Sequence, residues 1–455
     1  MVTNPGEDDD TFLFDLFHAW RVSSRIYPQS IPSGQYNARQ LRVSDKFMAS
    51  KVLIATTCHW FSAARLAMAF DKAGCTVDVV CPSGHPVVST HAIDKRYLYH
   101  GLAPLHSFRT AILSSKPDIV IPSDDLAMRH LHRLYAAACQ SEGDASRTLC
   151  EVLQFSLGDP ASYPITESRD KFMAMVYEEG ILTPETKTIA STDEVEDWLS
   201  QYGFPAVLKA DGTSGGEGVK IVYTLAEALR AYETLHAPLA TIVVTKRTVL
   251  DRDWNCVMPW LKQHRRAVSI QSFVPGPDAN IAVACWRGEV LAAISVEVLQ
   301  TWKPKGPATI VRLLENGEML EAARKVLRRL KFSGLCGFDF MIHKSTGVAQ
   351  LIEMNARATQ TAALPLGHDR DLIASLCSVL SGQHHSTAPI ELPGDTIALF
   401  PLAWKKDTSS ELFLSSYHDI PREEPELVRL GMAQPRNSSK DGWIRLFSKL
   451  GLHRP

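Results

Sequence analysis

The sequence lacks an excess of positive charge, a long apolar run and any close pair of cysteines, and each absence removes a class of function. With a formal net charge of −2 and no basic stripe interleaved with aromatics, it offers no field for nucleic acid or an anionic membrane. No stretch approaches the roughly 18 to 20 apolar residues that cross a bilayer. The nine cysteines are scattered with no C-x-x-C, which argues against a disulfide framework or zinc site and for reduced thiols in a cytoplasmic setting. Glu7-Asp8-Asp9-Asp10 is acidic where a secretory leader would be basic. What remains, 45% apolar and 22% charged over 455 residues, is the composition of a soluble globular chain long enough for two or three packed units.

A further absence bears on the first unit. Lys51–Thr56 and Thr76–Cys81 read as short buried strands, and Asp118–Pro122 as a third. Helices at Ser62–Ala73, Pro104–Ser115 and Asp125–Cys139 alternate with them, which predicts a doubly wound parallel sheet. Yet Thr57-Cys-His-Trp-Phe-Ser62 follows the first strand where a dinucleotide site would carry G-x-G-x-x-G, so hydride transfer is unsupported. His59 and His85 follow strands of this unit and read as structural. Residues 1–45 fit no repeating pattern, although Phe12–Trp20 is apolar enough to dock on a neighbour.

The second unit begins near Ala161. Ser168 is placed to cap a helix that ends at Gly180, and Ser191-x-x-Glu194 and Thr224-x-x-Glu227 are capping boxes. Strands are expected at Pro205–Ala210, Val219–Tyr223, Ala267–Val274, Ile281–Trp286, Val290–Leu299, Cys336–Ile342 and Val348–Met354, with a helix at Gly317–Lys331. Beyond Ser381 seven prolines make the tail less regular, and Trp443–Leu450 is amphipathic and basic, as a docking helix would be.

Two segments carry chemistry. In the first, Lys209 ends a buried strand and four glycines follow within the seven residues Gly212–Gly218. Glycines let backbone N–H groups approach an anion, and a lysine supplies a mobile positive charge for phosphate. This is not a P-loop, because the lysine precedes the glycines. In the second, Glu353, Asn355 and Arg357 lie two apart and share one face of a strand. A hairpin through Lys344-Ser-Thr-Gly347 brings Asp339 beside them, amid Phe338, Phe340, Leu351, Ile352 and Met354. Two carboxylates in an apolar sheet demand a cation, and oxygen ligands of this kind suit Mg²⁺. The plainer alternative is a salt bridge to Arg357 on a solvent-facing sheet.

The glycine-loop lysine followed far downstream by Asp…Glu-x-Asn-x-Arg resembles the ATP-grasp superfamily, over about Ala161–Gln383. Residues 46–160 are similar to the Rossmann-like α/β domain that precedes it. The resemblance implies an α/β and α+β chain: an extension (1–45), the preceding domain (46–160), an ATP-grasp fold (161–383) with a mobile lid at about 182–270, and a second extension (384–455). It implies that Lys171 and Lys209 contact the ATP phosphates, with Gly212, Ser214, Gly215, Gly216 and Gly218 folding over them. Gln271, Ser272, Phe273 and Val274 resemble the hinge that holds adenine, and Asp278 the acceptor for the ribose hydroxyls. A glutamate usually opens that hinge; here Gln271 and Ser272 stand in its place.

By the same resemblance Asp339, Glu353 and Asn355 match the ligands of two Mg²⁺ ions, with Mn²⁺ as an alternative, and Arg357 matches the arginine that steadies the transferred phosphoryl group. Lys303, Lys305, Thr309 and Arg312 lie where relatives contact substrate, and Arg312 is the chosen carboxylate anchor. The implied activity is ligation: a carboxylate is activated as an acyl phosphate and joined to an amine, with release of ADP and phosphate. A bicarbonate-activating carboxylase or carbamoyl-phosphate-type enzyme, and a non-catalytic nucleotide-binding module, are the alternatives. Substrates would be small molecules, and a homodimer is open. Asp251–Arg266 has no family role and reads as a surface helix of the lid.

Overall fold

The computed structural model describes residues 50–213, 216, 218–249, 253–367, 370–385 and 390–433. The extension at 1–45, Ser214, Gly215 and the Trp443–Leu450 helix lie outside the described residues. All elements below belong to the unit Ala49–Pro455.

The chain opens with β1 (Lys51–Ala55), α1 (Ser62–Lys72), β2 (Thr76–Cys81), β3 (Lys95–Leu98), α2 (Pro104–Ser115), β4 (Ile119–Pro122), α3 (Asp125–Cys139) and α4 (Asp144–Leu157). The strands form a four-stranded sheet in the order β3–β2–β1–β4, parallel throughout. The central strand shows why: Val52, Leu53 and Ile54 are all fully buried, as expected of a strand covered on both faces. Each such side chain contributes about 1.5–3 kcal/mol of burial. The edge strand β3 is mostly exposed and carries no apolar run.

Next come α5 (Arg169–Glu178), β5 (Thr186–Ile189), α6 (Thr192–Tyr202), β6 (Ala206–Ala210), β7 (Val219–Val222), α7 (Leu225–His236), α8 (Thr241–Val249) and β8 (Val268–Ser272). Their strands form an antiparallel sheet, β5–β8–β6–β7, packed on α6 and α7 through Val195, Trp198, Leu208 and Ile270. Both capping boxes close as the sequence suggests. Ser191 accepts from the Glu194 N–H at 3.3 Å while the Glu194 carboxylate accepts from the Ala190 N–H at 3.0 Å. Thr224 and Glu227 repeat the arrangement. Ser168 sits at the N-cap of α5, but its hydroxyl donates to Asp170 rather than capping the backbone.

The largest sheet has seven strands: β9 (Asp278–Trp286), β10 (Glu289–Thr301), β11 (Ala308–Leu313), β12 (Gly334–Ile342), β13 (Ala349–Asn355), β14 (Thr396–Leu399) and β15 (Tyr417–Asp419). Their order is β13–β12–β9–β10–β11–β14–β15. Helices α9 (Gly317–Leu330) and α10 (Leu372–Ser381) pack against it, and α11 (Pro425–Met432) follows β15. The sequence sets residues from 384 onward apart as an extension, yet β14 pairs antiparallel with β11 and carries β15 beside it. The same segment returns to the first sheet. Arg65 bonds Asp419, and Glu424 accepts from the Thr90 hydroxyl at 2.7 Å and the His91 N–H at 2.9 Å. Among the described residues no helix is long and apolar enough to cross a membrane.

Candidate active site

The β12–β13 hairpin sets the acidic row. Its register places Asp339 directly opposite Glu353 and Gly337 opposite Asn355, with a bulge between Asp339 and Phe340. Phe338, Phe340 and Leu351 are buried on the same strands, so the polar residues are left facing a cavity of about 900 Å³. Lys209, at the end of β6, lines that cavity from the opposite sheet and is itself 6% exposed. The sequence's two separated signals thus share one cleft.

Within it the charges are tightly connected. Asn355 donates to Asp339 at 3.0 Å, and Arg357 donates to the Asn355 amide oxygen at 3.1 Å. Arg357 also bonds Asp125 of α3 at 3.2 Å and lies over the Trp60 ring at 4.9 Å. Burial, then the neighbouring Glu353 charge, pushes Asp339 up to about 6. Burial works against the charge of Glu353 too, but Arg169 and Lys209 hold it below the usual carboxylate range. Burial brings Lys209 down to about 8, with Glu353 pulling the other way. Of the acidic pair, Asp339 is the one that resists ionisation, as expected where a cation is needed to keep both charged.

The donor set fits a hard divalent cation. Two facing carboxylates and an amide oxygen match Mg²⁺, which prefers oxygen and shares its coordination with phosphate and water. Among the described residues no cluster of three His, Cys, Asp or Glu side chains competes for such an ion. The glycine loop fits an anion. At Gly216, φ is +75° and a Cβ would lie 2.1 Å from the Lys305 carbonyl oxygen, so only glycine lets this loop rest on the turn between β10 and β11. Thr213, Gly216 and Lys305 all line the cavity, and Gly218 is buried nearby against Thr213.

Lys171, Arg312, Thr309 and Gly212 fall outside the cavity wall. Lys171 is exposed and absent from the cavity wall. Arg169, two residues earlier on α5, takes the inward place and donates to Glu353 at 2.7 Å and Asp211 at 3.2 Å. Arg312 is half-exposed on β11, paired with Glu297 at 3.5 Å and Asp395 at 3.7 Å, while its neighbour Val311 faces the cavity. Adjacent strand residues point to opposite faces, so Arg312 cannot share the inward side of Val311. Thr309 is buried and bonds Gln300 at 2.8 Å, whereas Lys303 and Lys305 do line the cleft.

At the hinge, Gln271, Ser272, Phe273, Val274 and Asp278 all reach the cavity wall. The Gln271 amide donates to Thr186 at 2.8 Å, and the Ser272 and Phe273 N–H groups are engaged by the Glu185 and Pro205 carbonyls. Asp278 pairs with Lys305 at 3.3 Å. Gly212 has φ +73° and lies outside the cavity, beside Arg129. His59 lines the cleft but is held by the Ser83 carbonyl at 3.0 Å and stacks on His85. Within the segment expected as a surface helix of the lid, Trp254–Cys256 and Val257–Leu261 are short helices, and Asn255 accepts from the hydroxyl of Tyr99, just past β3, at 2.5 Å. Arg169, Asp125 and Trp60 are the site residues the sequence reading did not name.

Residues 168–366 match the family model described as carbamoyl-phosphate synthase L chain, ATP binding domain. The chain is 26% identical over 249 residues to the carbamoyl phosphate synthase large chain of Pseudothermotoga lettingae, covering 53% of this chain and 21% of that one. It is 26% identical over 132 residues to the phosphoribosylamine–glycine ligase of Ralstonia nicotianae, covering 29% of this chain and 26% of that one. It therefore spans only about a fifth to a quarter of the length of these relatives. Among solved structures, the biotin carboxylase domain of Hydrogenobacter thermophilus 2-oxoglutarate carboxylase, with MgADP, ADP and bicarbonate, superposes with TM-score 0.54. That match is 15% identical and covers 75% of this chain and 72% of the other. N5-carboxyaminoimidazole synthetase from Staphylococcus aureus with ADP gives TM-score 0.52 at 13% identity, covering 77% and 80%. At these identities the likeness to both structures is one of fold.

Proposed function

From the ATP-grasp domain that this chain carries, we propose that it is an ATP-dependent carboxylate–amine ligase. The observation that carries this reading is the facing pair Asp339 and Glu353, with Asn355 beside them and Lys209 across the same cavity. Phosphoryl transfer needs positioning and charge neutralisation more than covalent help, and these residues provide both. Magnesium bound by Asp339, Glu353 and Asn355 would supply charge neutralisation at the triphosphate. Lys209 and Arg169 flank the phosphates, and Thr213 and Gly216 at the cavity wall shield them from water. Val274, next to the engaged Ser272 and Phe273 amides, holds the base edge, and Asp278 exchanges Lys305 for the ribose hydroxyls.

Arg357 orients the acid, its guanidinium fixed by Asp125 and Trp60. A carboxylate oxygen attacks the γ-phosphorus and ADP departs. An amine nitrogen then attacks the acyl carbon, loses a proton and displaces phosphate. The test is ADP release from MgATP with a panel of carboxylic acids, hydroxylamine serving as the amine. Asp339→Asn and Asn355→Ala are expected to lower the rate by about 100-fold or more with the circular dichroism spectrum unchanged. Full activity in Asn355→Ala would overturn the metal assignment. Because the sequence relatives include carbamoyl phosphate synthases, bicarbonate belongs in the panel. ADP release with bicarbonate as the only acid would favour that substrate.

A further inference from the structure

Away from the phosphate end, the cavity continues along a wall that nucleotide binding does not use. Trp60, under Arg357, is followed by Phe61, which meets Phe400 edge-on with centroids 5.3 Å apart. Phe400 is braced from behind: it meets Trp404 at 5.6 Å, and a Cβ added at Gly431 would come 2.4 Å from its ring. The rings are therefore fixed in place, and Trp60, Phe61 and Phe400 present an apolar surface to the cavity.

Lys405, on the short helix Leu402–Lys406 that follows Phe400 in the chain, lines the same cavity. Three other cations on the wall have carboxylate partners: Arg65 holds Asp419, Arg247 holds Asp253 and Lys305 holds Asp278. The Lys405 ammonium makes no hydrogen bond or ion pair with any described residue, its backbone N–H alone bonding the Pro401 carbonyl. Burial alone depresses its ammonium, with no acid acting to offset it. A partly desolvated ammonium without a counter-ion is unfavourable unless a bound anion completes it.

We propose that the acid substrate of this site is a dicarboxylate with an apolar body. One carboxylate is activated beside Arg357, the hydrocarbon lies along Trp60, Phe61 and Phe400, and the second carboxylate ends on Lys405. This rests on the ligase reading above and narrows it to a substrate class.

The experiment compares three acids in the full chain with MgATP and hydroxylamine, reading hydroxamate formation. They are 1,4-phenylenedipropionate (two carboxylates, apolar body), 3-phenylpropionate (one carboxylate) and glucarate (two carboxylates, hydroxylated body). The expected result is a KM for the aromatic diacid about ten-fold below both others. Lys405→Gln is expected to abolish its preference over 3-phenylpropionate, and Lys405→Arg to keep most of it. Calorimetric binding of the diacid in the presence of MgADP should follow the same order. Equal KM values for glucarate and the aromatic diacid, or an undiminished preference in Lys405→Gln, would overturn the proposal. MgADP affinity is measured separately. Absent MgADP binding refutes the ligase reading itself, whereas MgADP binding without a diacid preference refutes only the substrate class.

Discussion

Removing Arg169 tests the electrostatic frame of the cleft most directly. Its guanidinium is 13% exposed and bonds Glu353 at 2.7 Å and Asp211 at 3.2 Å. At an effective dielectric of about 20, a pair about 4 Å apart gains about 4 kcal/mol. Much of that offsets the desolvation of the three groups, so the intact cluster adds little net stability. Taking away one partner is different, because Glu353 and Asp211 are left close together in a poorly solvated place. Arg169→Met should therefore destabilise the protein by about 3–5 kcal/mol. In a calorimetric melt of a chain this long that is a drop of about 5 °C. Adding Glu353→Gln removes the stranded charge and should return about 2 kcal/mol or more of the loss, a coupling that a double-mutant cycle reads. Lys171→Ala, on the exposed side of the same helix, should change stability by less than about 0.5 kcal/mol. MgADP affinity should fall about ten-fold or more in Arg169→Met and stay within about two-fold in Lys171→Ala. The reasoning is refuted if Arg169→Met costs under about 1 kcal/mol, or if the two substitutions at 169 and 353 simply add.

Gly216→Ala places a methyl 2.1 Å from the Lys305 carbonyl in a left-handed backbone, so the loop cannot seat. ADP release should fall about ten-fold or more while MgADP affinity changes little, and stopped-flow turnover beside equilibrium titration checks the split. Acid should destabilise the first sheet through two buried imidazoles. Burial, then His59, brings His85 down to about 3, and burial with Arg133 and Arg129 brings His130 to about 4. The unfolded chain accepts these protons near pH 6.5 and the folded one does not, so this stability is complete above 6.5 and declines as pH falls towards 3. Between pH 7 and 4 the loss from His85 is roughly 2–3 kcal/mol. His85→Asn should lose correspondingly less on acidification in urea titrations, and an unchanged pH profile would exclude His85 as the cause.

Much of the site could be read from the sequence because its signals are local. The period of two survives in Glu353 and Asn355 on β13, Arg357 reaches back to Asn355 from beyond the strand's end, and the short turn at residues 344–347 leaves Asp339 little freedom in register. The errors came from orientation. Lys171 and Arg169 differ by two residues, which on a helix is about 200° of rotation. Arg169 falls in line with buried Phe172, Met173 and Val176, at spacings of three, four and seven. That stripe was visible in the sequence and identifies the inward-facing cation. Arg312 failed on the parity of its strand. β3, β5, β11, β14 and β15 were not read as strands, and in β3 and β5 half or more of the residues are exposed, so no apolar run marks them. Asp125 and Trp60 join the site only through tertiary contact with Arg357, across more than two hundred residues of chain.

The return of residues 417–424 to the first sheet has a consequence for biosynthesis. Arg65, Thr90 and His91 emerge early from the ribosome, but Asp419 and Glu424 follow more than three hundred residues later. Until then α1 lacks the carboxylate that neutralises its arginine, and β11 lies at an open sheet border awaiting β14. Helix α1 is therefore completed only by chain made more than three hundred residues later, and a truncation before residue 417 would leave Arg65 without its carboxylate.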